Sequence, residues 1–242
     1  IAPVYYRRRR EDVLSELPEL LENEEWCEMG YKEQWKYYEC LSKEGHNYHE
    51  IRQVSWNVDD LHDSSKASRM LEIIEEAKEE GRKVIIFSFY LDTIRKISKL
   101  LGNQCTEIIN GSVSPKHRQE IIDEYELAPA GTVLLSQIMA GGTGLNIQSA
   151  SVVIICEPQI KPSIESQAIS RAYRMGQSRN VLVYRLLCSN TIDERITDIL
   201  ARKTNVFNAF ADQSAAADNI EIDSASLTQI IEEERSRMKR AS

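Results

Sequence analysis

No run of apolar residues approaches the roughly 20 that a bilayer-spanning helix needs, and the start lacks the charged-then-apolar pattern of a secretion signal. A soluble, intracellular, cytoplasmic protein is therefore expected. Cysteine is sparse. Cys27, Cys40, Cys105, Cys156 and Cys188 stand far apart and none forms a C-x-x-C, so a zinc site is not expected. His46 and His49 can share a helix face, but no neighbouring ligand set completes a metal site. Internal repeats and low-complexity tracts are missing too. So is the glycine loop ending in Lys-Ser/Thr with which many nucleotide-binding domains grip phosphate. Positive charge is in deficit, with 30 Lys and Arg against 38 Asp and Glu and a net charge of −8. Phosphate contacts need Lys and Arg. The balance weighs against a general nucleic-acid binder while leaving room for one local basic groove.

The chain opens on Ile1 and a Tyr/Arg stretch, and is expected to be a piece of a longer protein. Its 242 residues, 42% hydrophobic and 28% charged, suit one large globular domain or two small ones. Residues 1–62 are rich in charge and aromatics (Tyr5, Tyr6, Trp26, Tyr31, Trp35, Tyr37, Tyr38, Trp56) and show no strand–helix alternation. Glu33 to Leu41 reads as helical, so this region is expected to be a helical appendage.

From Ser65 the pattern changes. Ala67, Met70, Leu71 and Ile74 recur at amphipathic-helix spacing, and Gly81 sits where a helix C-terminal glycine belongs. Val84 to Phe87, Val133 to Leu135 and Val152 to Ile155 are short continuous apolar runs, as strands buried on both faces require. Glu107 to Ile109 and Val181 to Leu187 read as further strands. Helices are expected over Leu91 to Leu101, from Ser114-Pro115 through Tyr125, and over Ser163 to Met175. Thr191 and Glu194 predict a capping box for a last helix through Ile192, Ile196 and Ile199. Such alternation over residues 63–206 implies an α/β fold with a mainly parallel sheet covered by helices on both faces. Residues 207–242 read as a polar tail ending in a charged helix, Leu227 to Arg240.

Three segments carry candidate chemistry. Ala140-Gly141-Gly142-Thr143-Gly144-Leu145-Asn146 directly follows a strand, and glycines let backbone amides approach phosphates. By itself it is equally a tight loop leaving a buried strand. In Gln167-Ala168-Ile169-Ser170-Arg171-Ala172-Tyr173-Arg174-Met175-Gly176-Gln177, the side chains of Gln167, Arg171 and Arg174 share one helix face. That arrangement points toward an anion, and phosphoryl transfer gains from guanidinium groups near its oxygens. A solvated helix face has the same appearance. Gly176 ends the helix, which puts Arg174 in its last turn at the sheet rim; ligands of α/β sheets bind at the strands' C-terminal ends. Ser88, and Gly111-Ser112 with Arg118, sit at strand-end loops where a hydroxyl and an arginine can hold a nucleic-acid backbone. Capping and salt bridging are equally open to them.

Taken together these segments resemble the Swi/Snf family of helicase-like motors in superfamily two. Val84 to Phe89 looks like the family's motif IV, Ile109 to Tyr125 like the segment after it, and Val133 to Ile147 like motif V. Gln167 to Gln177, followed by Val181-x-Val183-Tyr184-Arg185-Leu186, looks like motif VI. Tyr6-Arg7-Arg8-x-x-Glu11-Asp12-Val13-Leu14-x-x-Leu17-Pro18 is similar to the stretch leaving the family's first lobe. The resemblance spans most of residues 5–200. It implies that this chain is the second of two RecA-like lobes that sandwich ATP, the first lobe holding most of the ATP and Mg²⁺. It also implies arginine fingers at Arg171 and Arg174, nucleotide contacts near Gly142, Gly144, Asn146 and Gln167, and double-stranded DNA backbone contacts at Ser88, Gly111, Arg118, Gln137 and Gly141. The partners implied are duplex DNA and the first lobe of the same polypeptide, with the protein nucleoid-associated when on DNA and no membrane or metal site in this chain. Met139, Tyr173 and Glu157-Pro158-Gln159 depart from many eukaryotic relatives, which have Lys, His and Trp-Asn-Pro there, and look like a bacterial branch. Insertions of the chromatin-acting members are not evident, so nucleosomes are not expected as substrate. Two rivals stay open: the second lobe of an RNA helicase, and a non-enzymatic adaptor.

Overall fold

Three apolar runs in the middle of the sequence determine the architecture, because each must be covered on both sides. In the computed structural model, residues 18–43, 48–142, 146–210 and 220–241 are described. His46, the Tyr6 to Leu17 stretch and Gly144 lie outside them. Strands β1 (Leu20–Cys27), β2 (Lys83–Ser88), β3 (Cys105–Ile109), β4 (Val133–Gln137), β5 (Ala150–Ile155) and β6 (Val181–Cys188) form one sheet in the order β1-β6-β5-β2-β4-β3. Every pairing is parallel.

Alternate residues of the central strands face opposite cores. Val84 and Ile86 of β2, Val133 and Leu135 of β4, and Val152 and Ile154 of β5 join one cluster with Met70, Ile73, Ile74, Ile94 and Ile97. Those partners lie on helices α3 (Ser65–Glu79) and α4 (Leu91–Leu101). Ile85, Phe87, Leu134, Val153 and Ile155 face the other way, onto Ile121, Ile122, Tyr125, Ala168, Ile169 and Ala172. These belong to α5 (Pro115–Leu127) and α6 (Pro162–Ala172). The expected doubly covered α/β sheet is therefore present, because an alternating side-chain period buries both faces of a wholly apolar strand.

Several local expectations hold. Ser114 caps α5 by accepting from the His117 amide at 3.3 Å, with Pro115 in the first turn. Gly81 has φ +69°, and the bonds Arg82 N–H to Ala77 O (2.7 Å) and Gly81 N–H to Lys78 O (3.0 Å) close α3 as a Schellman motif. Two details differ. Leu71 is exposed and Ile73 takes its place in the core. Glu194 accepts from the Asn190 amide rather than that of Thr191, whose hydroxyl accepts from Asp193 N–H.

Both ends of the chain depart from the sequence reading. The first region is not purely helical: its Leu20–Cys27 is an edge strand paired along its length with β6. The helices α1 (Tyr31–Ser42) and α2 (Tyr48–Ile51) follow it. The charged helix expected over Leu227 to Arg240 is present, but it packs into a core instead of ending a polar tail. Helix α8 (Ser224–Ala241) inserts Leu227, Ile230 and Ile231 into a third core with Tyr37, Leu41, Ile51, Cys188, Ile192 and Ile196. The last two residues lie on α7 (Ile192–Phe210). Buried polar groups fasten the first region to the sheet. Glu33 accepts from Ser55 Oγ at 2.5 Å and from Ser65 N–H at 2.8 Å, and Trp56 Nε1–H donates to Cys156 O at 2.7 Å.

Candidate nucleotide and nucleic-acid site

Because all strands run the same way, the sheet has two chemically distinct rims, and the candidate residues divide between them. Ser88, Gln137 and Gly111 lie at or just beyond the C-terminal ends of β2, β4 and β3. The chain then crosses from this rim to the other. It leaves β4 at Gln137, passes through the 3₁₀ turn Ile138–Gly142, and re-enters the sheet at Ala150, the first residue of β5. This is the glycine segment.

Helix α6 makes the same descent beside it. Ile138 and Ala140 share a core with Ala168, Ile169 and Ala172, and the Ile147 N–H donates to Arg171 O at 3.1 Å. The arginine pair and the glycine turn are therefore on one face of the sheet. The helix stops at Ala172, capped by Tyr173, rather than reaching Met175. Arg174 consequently sits in the turn beyond it, while Gln167 and Arg171 remain one helical turn apart. This corrects the expected rim as well. The pair stands at the N-terminal ends of β5 and β6, opposite the rim where α/β ligands usually bind.

Arg171 is half-buried and Arg174 exposed. Among the described residues neither guanidinium meets a carboxylate or a hydrogen-bond acceptor, and Arg171 Nε is buried without a partner. Burial, and then the like charge of Arg174, push the Arg171 pKa down from its ordinary value. Two adjacent cations with no counter-charge form a site that an anion would relieve. Asn146 and Gln167 are exposed beside them. Gly141 and Gly142 end the 3₁₀ turn.

Two expected backbone contacts are turned inward. Ser88 is fully buried; its hydroxyl donates to Glu157 Oε2 at 2.8 Å and accepts from Tyr90 N–H at 3.0 Å, so it offers no atom to a ligand. Arg118 is buried against backbone carbonyls, donating to Ala140 O at 3.2 Å, Asn110 O at 2.9 Å and Gly111 O at 3.4 Å. It ties the loop after β3 to the start of the glycine segment. Gly111 remains exposed on that loop, and Gln137 Nε2–H donates to Phe89 O at 3.1 Å.

Glu157, where the sequence departs from many eukaryotic relatives, is buried. Its carboxylate accepts from Phe89 N–H at 2.7 Å and from Ser88 and Gln159 side chains, and Arg52 approaches from the Pro158 side. Burial pushes the carboxyl pKa above its ordinary value of 4.5, with those bonds opposing it. A carboxyl raised in this way contributes stability that is complete below the unfolded value and is lost as pH rises through the folded one. Against Glu157→Gln, the wild-type melting temperature should fall progressively as pH rises above 4.5. Parallel thermal scans from acid to neutral pH check this; a constant difference between the two proteins would refute it.

Comparison with known proteins bears on the family and the fold. Residues 65–176 match the helicase conserved C-terminal domain family. An uncharacterized ATP-dependent helicase of Mycoplasma pneumoniae is 34% identical over 226 residues, covering 84% of this chain and 22% of that protein. The chain thus spans less than a quarter of that relative's length. Among solved structures, the Sulfolobus solfataricus SWI2/SNF2 ATPase core in complex with dsDNA is 28% identical over 90% of this chain and 51% of its own, with a TM-score of 0.66. The C-terminal part of the Fun30 ATPase domain, 15% identical, shares the fold at a TM-score of 0.70 over 91% of this chain and 99% of its own. With these matches and the six-stranded parallel sheet, the chain belongs to the Swi/Snf family of helicase-like proteins as a C-terminal RecA-like lobe.

Proposed function

We propose that this lobe serves an ATP-driven, duplex-DNA-translocating motor, supplying two arginine fingers to ATP hydrolysis and part of the grip on the DNA backbone. The observation that carries the reading is the uncompensated Arg171–Arg174 pair beside the exit of the glycine segment. Phosphoryl transfer spreads negative charge over the equatorial oxygens, and positioned guanidiniums stabilise it. The buried, partnerless Nε of Arg171 fits a phosphate oxygen as acceptor.

In this reading the first lobe of the polypeptide presents ATP with its Mg²⁺, and this lobe closes onto it. Gln167 and Asn146 border the nucleotide. Gly111, Gln137 and Gly141, on the C-terminal-end loops, face the DNA backbone. The connection over residues 138–149 joins the two rims, so closure at the nucleotide displaces the DNA-facing loops. Alone, this chain hydrolyses no ATP, since the phosphate-gripping loop belongs to the partner lobe. The relatedness to a SWI2/SNF2 core solved with dsDNA supports duplex DNA over RNA as the track.

Steady-state ATPase assays on the full-length protein, with duplex DNA or with structured RNA of equal length, test the assignment. Stimulation by the duplex well above that by RNA is expected. Equal or greater stimulation by RNA would move the lobe to the RNA-directed branch, and no stimulation by either would favour an adaptor.

A further inference from the structure

Gln177 closes the motif VI segment, and the reading above gives it no task. In the fold it is 7% exposed, and its side-chain amide is fully engaged. Nε2 lies within hydrogen-bond distance of three carbonyls: Ala150 O at 2.9 Å, Gln148 O at 3.0 Å and Ala172 O at 3.2 Å. Oε1 accepts from Arg179 N–H at 3.2 Å. An amide has two N–H donors, so one is shared between two of the three acceptors. Those acceptors lie on different pieces of chain. Gln148 belongs to the exit of the glycine segment, Ala150 opens β5, and Ala172 ends α6.

Other bonds tie the same pieces together. Gln177 N–H donates to Arg174 O at 3.0 Å, and Ile147 N–H donates to Arg171 O at 3.1 Å. The Gln148 side-chain amide donates to Met175 O. Gly176, at φ +97°, lies so close to Gln148 that an added Cβ would meet that amide at 3.0 Å. The turn bearing Arg174 and the exit of the glycine segment are therefore one hydrogen-bonded body, with Gln177 at its centre.

We propose that Gln177 is a positioning residue for the arginine fingers. It locks the turn over residues 173–176 to residues 147–150 at the exit of the glycine segment, and so holds the backbone that carries Arg174 in place beside Arg171. The inference rests on the finger assignment made above. Side-chain chemistry explains the choice of residue. A carboxylate would face three carbonyls without a proton to donate, a leucine would leave them buried and unbonded, and an asparagine is one methylene short of spanning them.

The test uses the full-length protein carrying Gln177→Leu, with Gln177→Asn beside it, and three readouts taken well below the melting temperature. These are DNA-saturated kcat per active-site-titrated molecule, the DNA concentration for half-stimulation, and hydrogen exchange of the Ile147 and Gln177 amides. Misplacing a reacting group by about 1 Å can cost ~10²-fold in rate. The expected result is a kcat loss of that order in Gln177→Leu, an unchanged half-stimulating DNA concentration, and faster exchange at both amides. Gln177→Asn should fall between it and wild type, and supplies the test by itself if the leucine variant does not fold. Wild-type kcat with accelerated exchange would show that the tie positions nothing. Wild-type exchange would show that Gln177 is not the tie. Either result overturns the proposal. Failure of the finger assignment reads out separately, as full turnover in Arg174→Ala whatever Gln177 does.

Discussion

Arg174→Ala in the full-length protein should lower DNA-stimulated ATP hydrolysis by about 10³–10⁵-fold, the range found for arginine fingers in phosphoryl transfer. The lobe's melting temperature should hardly move. The two halves of that expectation come from different features of the same side chain. Arg174 is exposed in the turn after α6, and its guanidinium forms no ion pair or hydrogen bond among the described residues. A surface substitution of this kind changes stability by no more than about 0.5 kcal/mol. The Arg174 charge helps to depress the pKa of Arg171. Removing it would relieve that repulsion, so a loss of turnover could not be blamed on a lost native contact. Arg171→Ala is a poorer probe, because that side chain is half-buried. Steady-state kinetics with saturating duplex, beside a thermal melt, decide the matter; turnover near wild type would remove Arg174 from the chemistry.

Asp193→Ala should strongly destabilise the fold. Lys66 and Asp193 are fully buried and meet at 2.6 Å, Nζ to Oδ2, between the N-terminal turns of α3 and α7. The same oxygen accepts from the Cys188 amide at 3.1 Å, and Lys66 also reaches Cys156 O at 3.4 Å. Burial is the largest single influence on Lys66 and pushes its pKa down, but the charge and hydrogen bond of Asp193, together with the Cys188 and Glu157 charges, hold the ammonium above its ordinary value. Without Asp193 a buried cation loses its counter-charge. Breaking such a pair costs about 3–5 kcal/mol. At roughly 2–4 °C per kcal/mol for a chain of this size, the melting temperature should drop by about 6–20 °C. Replacing both partners, as in Lys66→Met with Asp193→Leu, should recover most of the loss, because desolvation of the ions disappears together with their attraction. Denaturant and thermal unfolding of the single and double variants check this. A single-variant loss under about 1 kcal/mol would mean that water or rearrangement relieves the lysine.

Cationic side chains are thus treated in two opposite ways among the described residues. Lys66, Arg52 and Arg118 are turned inward onto a carboxylate or backbone carbonyls, whereas Arg171 and Arg174 are left without compensation. The one-dimensional pattern cannot tell these apart. Arg118 and Arg174 look equally available in sequence, because each has a polar neighbour at helical spacing. Ser88 presents the same ambiguity. A serine at a strand end reads as accessible until the loop after β5 folds Glu157 beneath it.

Local chemistry alone is enough to specify the strand–helix alternation from Ser65 onward, the helix ends at Ser114 and Gly81, and the class of sheet. Runs such as Val84 to Phe87 and Val152 to Ile155 have no polar face and must be enclosed on both sides, while Ser114 and Gly81 act on backbone groups only a few residues away. Contacts between distant parts of the chain settled the rest. Strand β1 is mostly solvent-exposed and rich in glutamate, so no apolar period marks it, and its identity comes from the backbone bonds that β6 offers. Helix α8 becomes structural because Tyr37 and Ile192, far away in sequence, provide the core for Ile230 and Ile231. The parallel direction of every strand sends α6 down to the opposite rim, and that long-range geometry brings the arginine pair to the exit of the glycine segment.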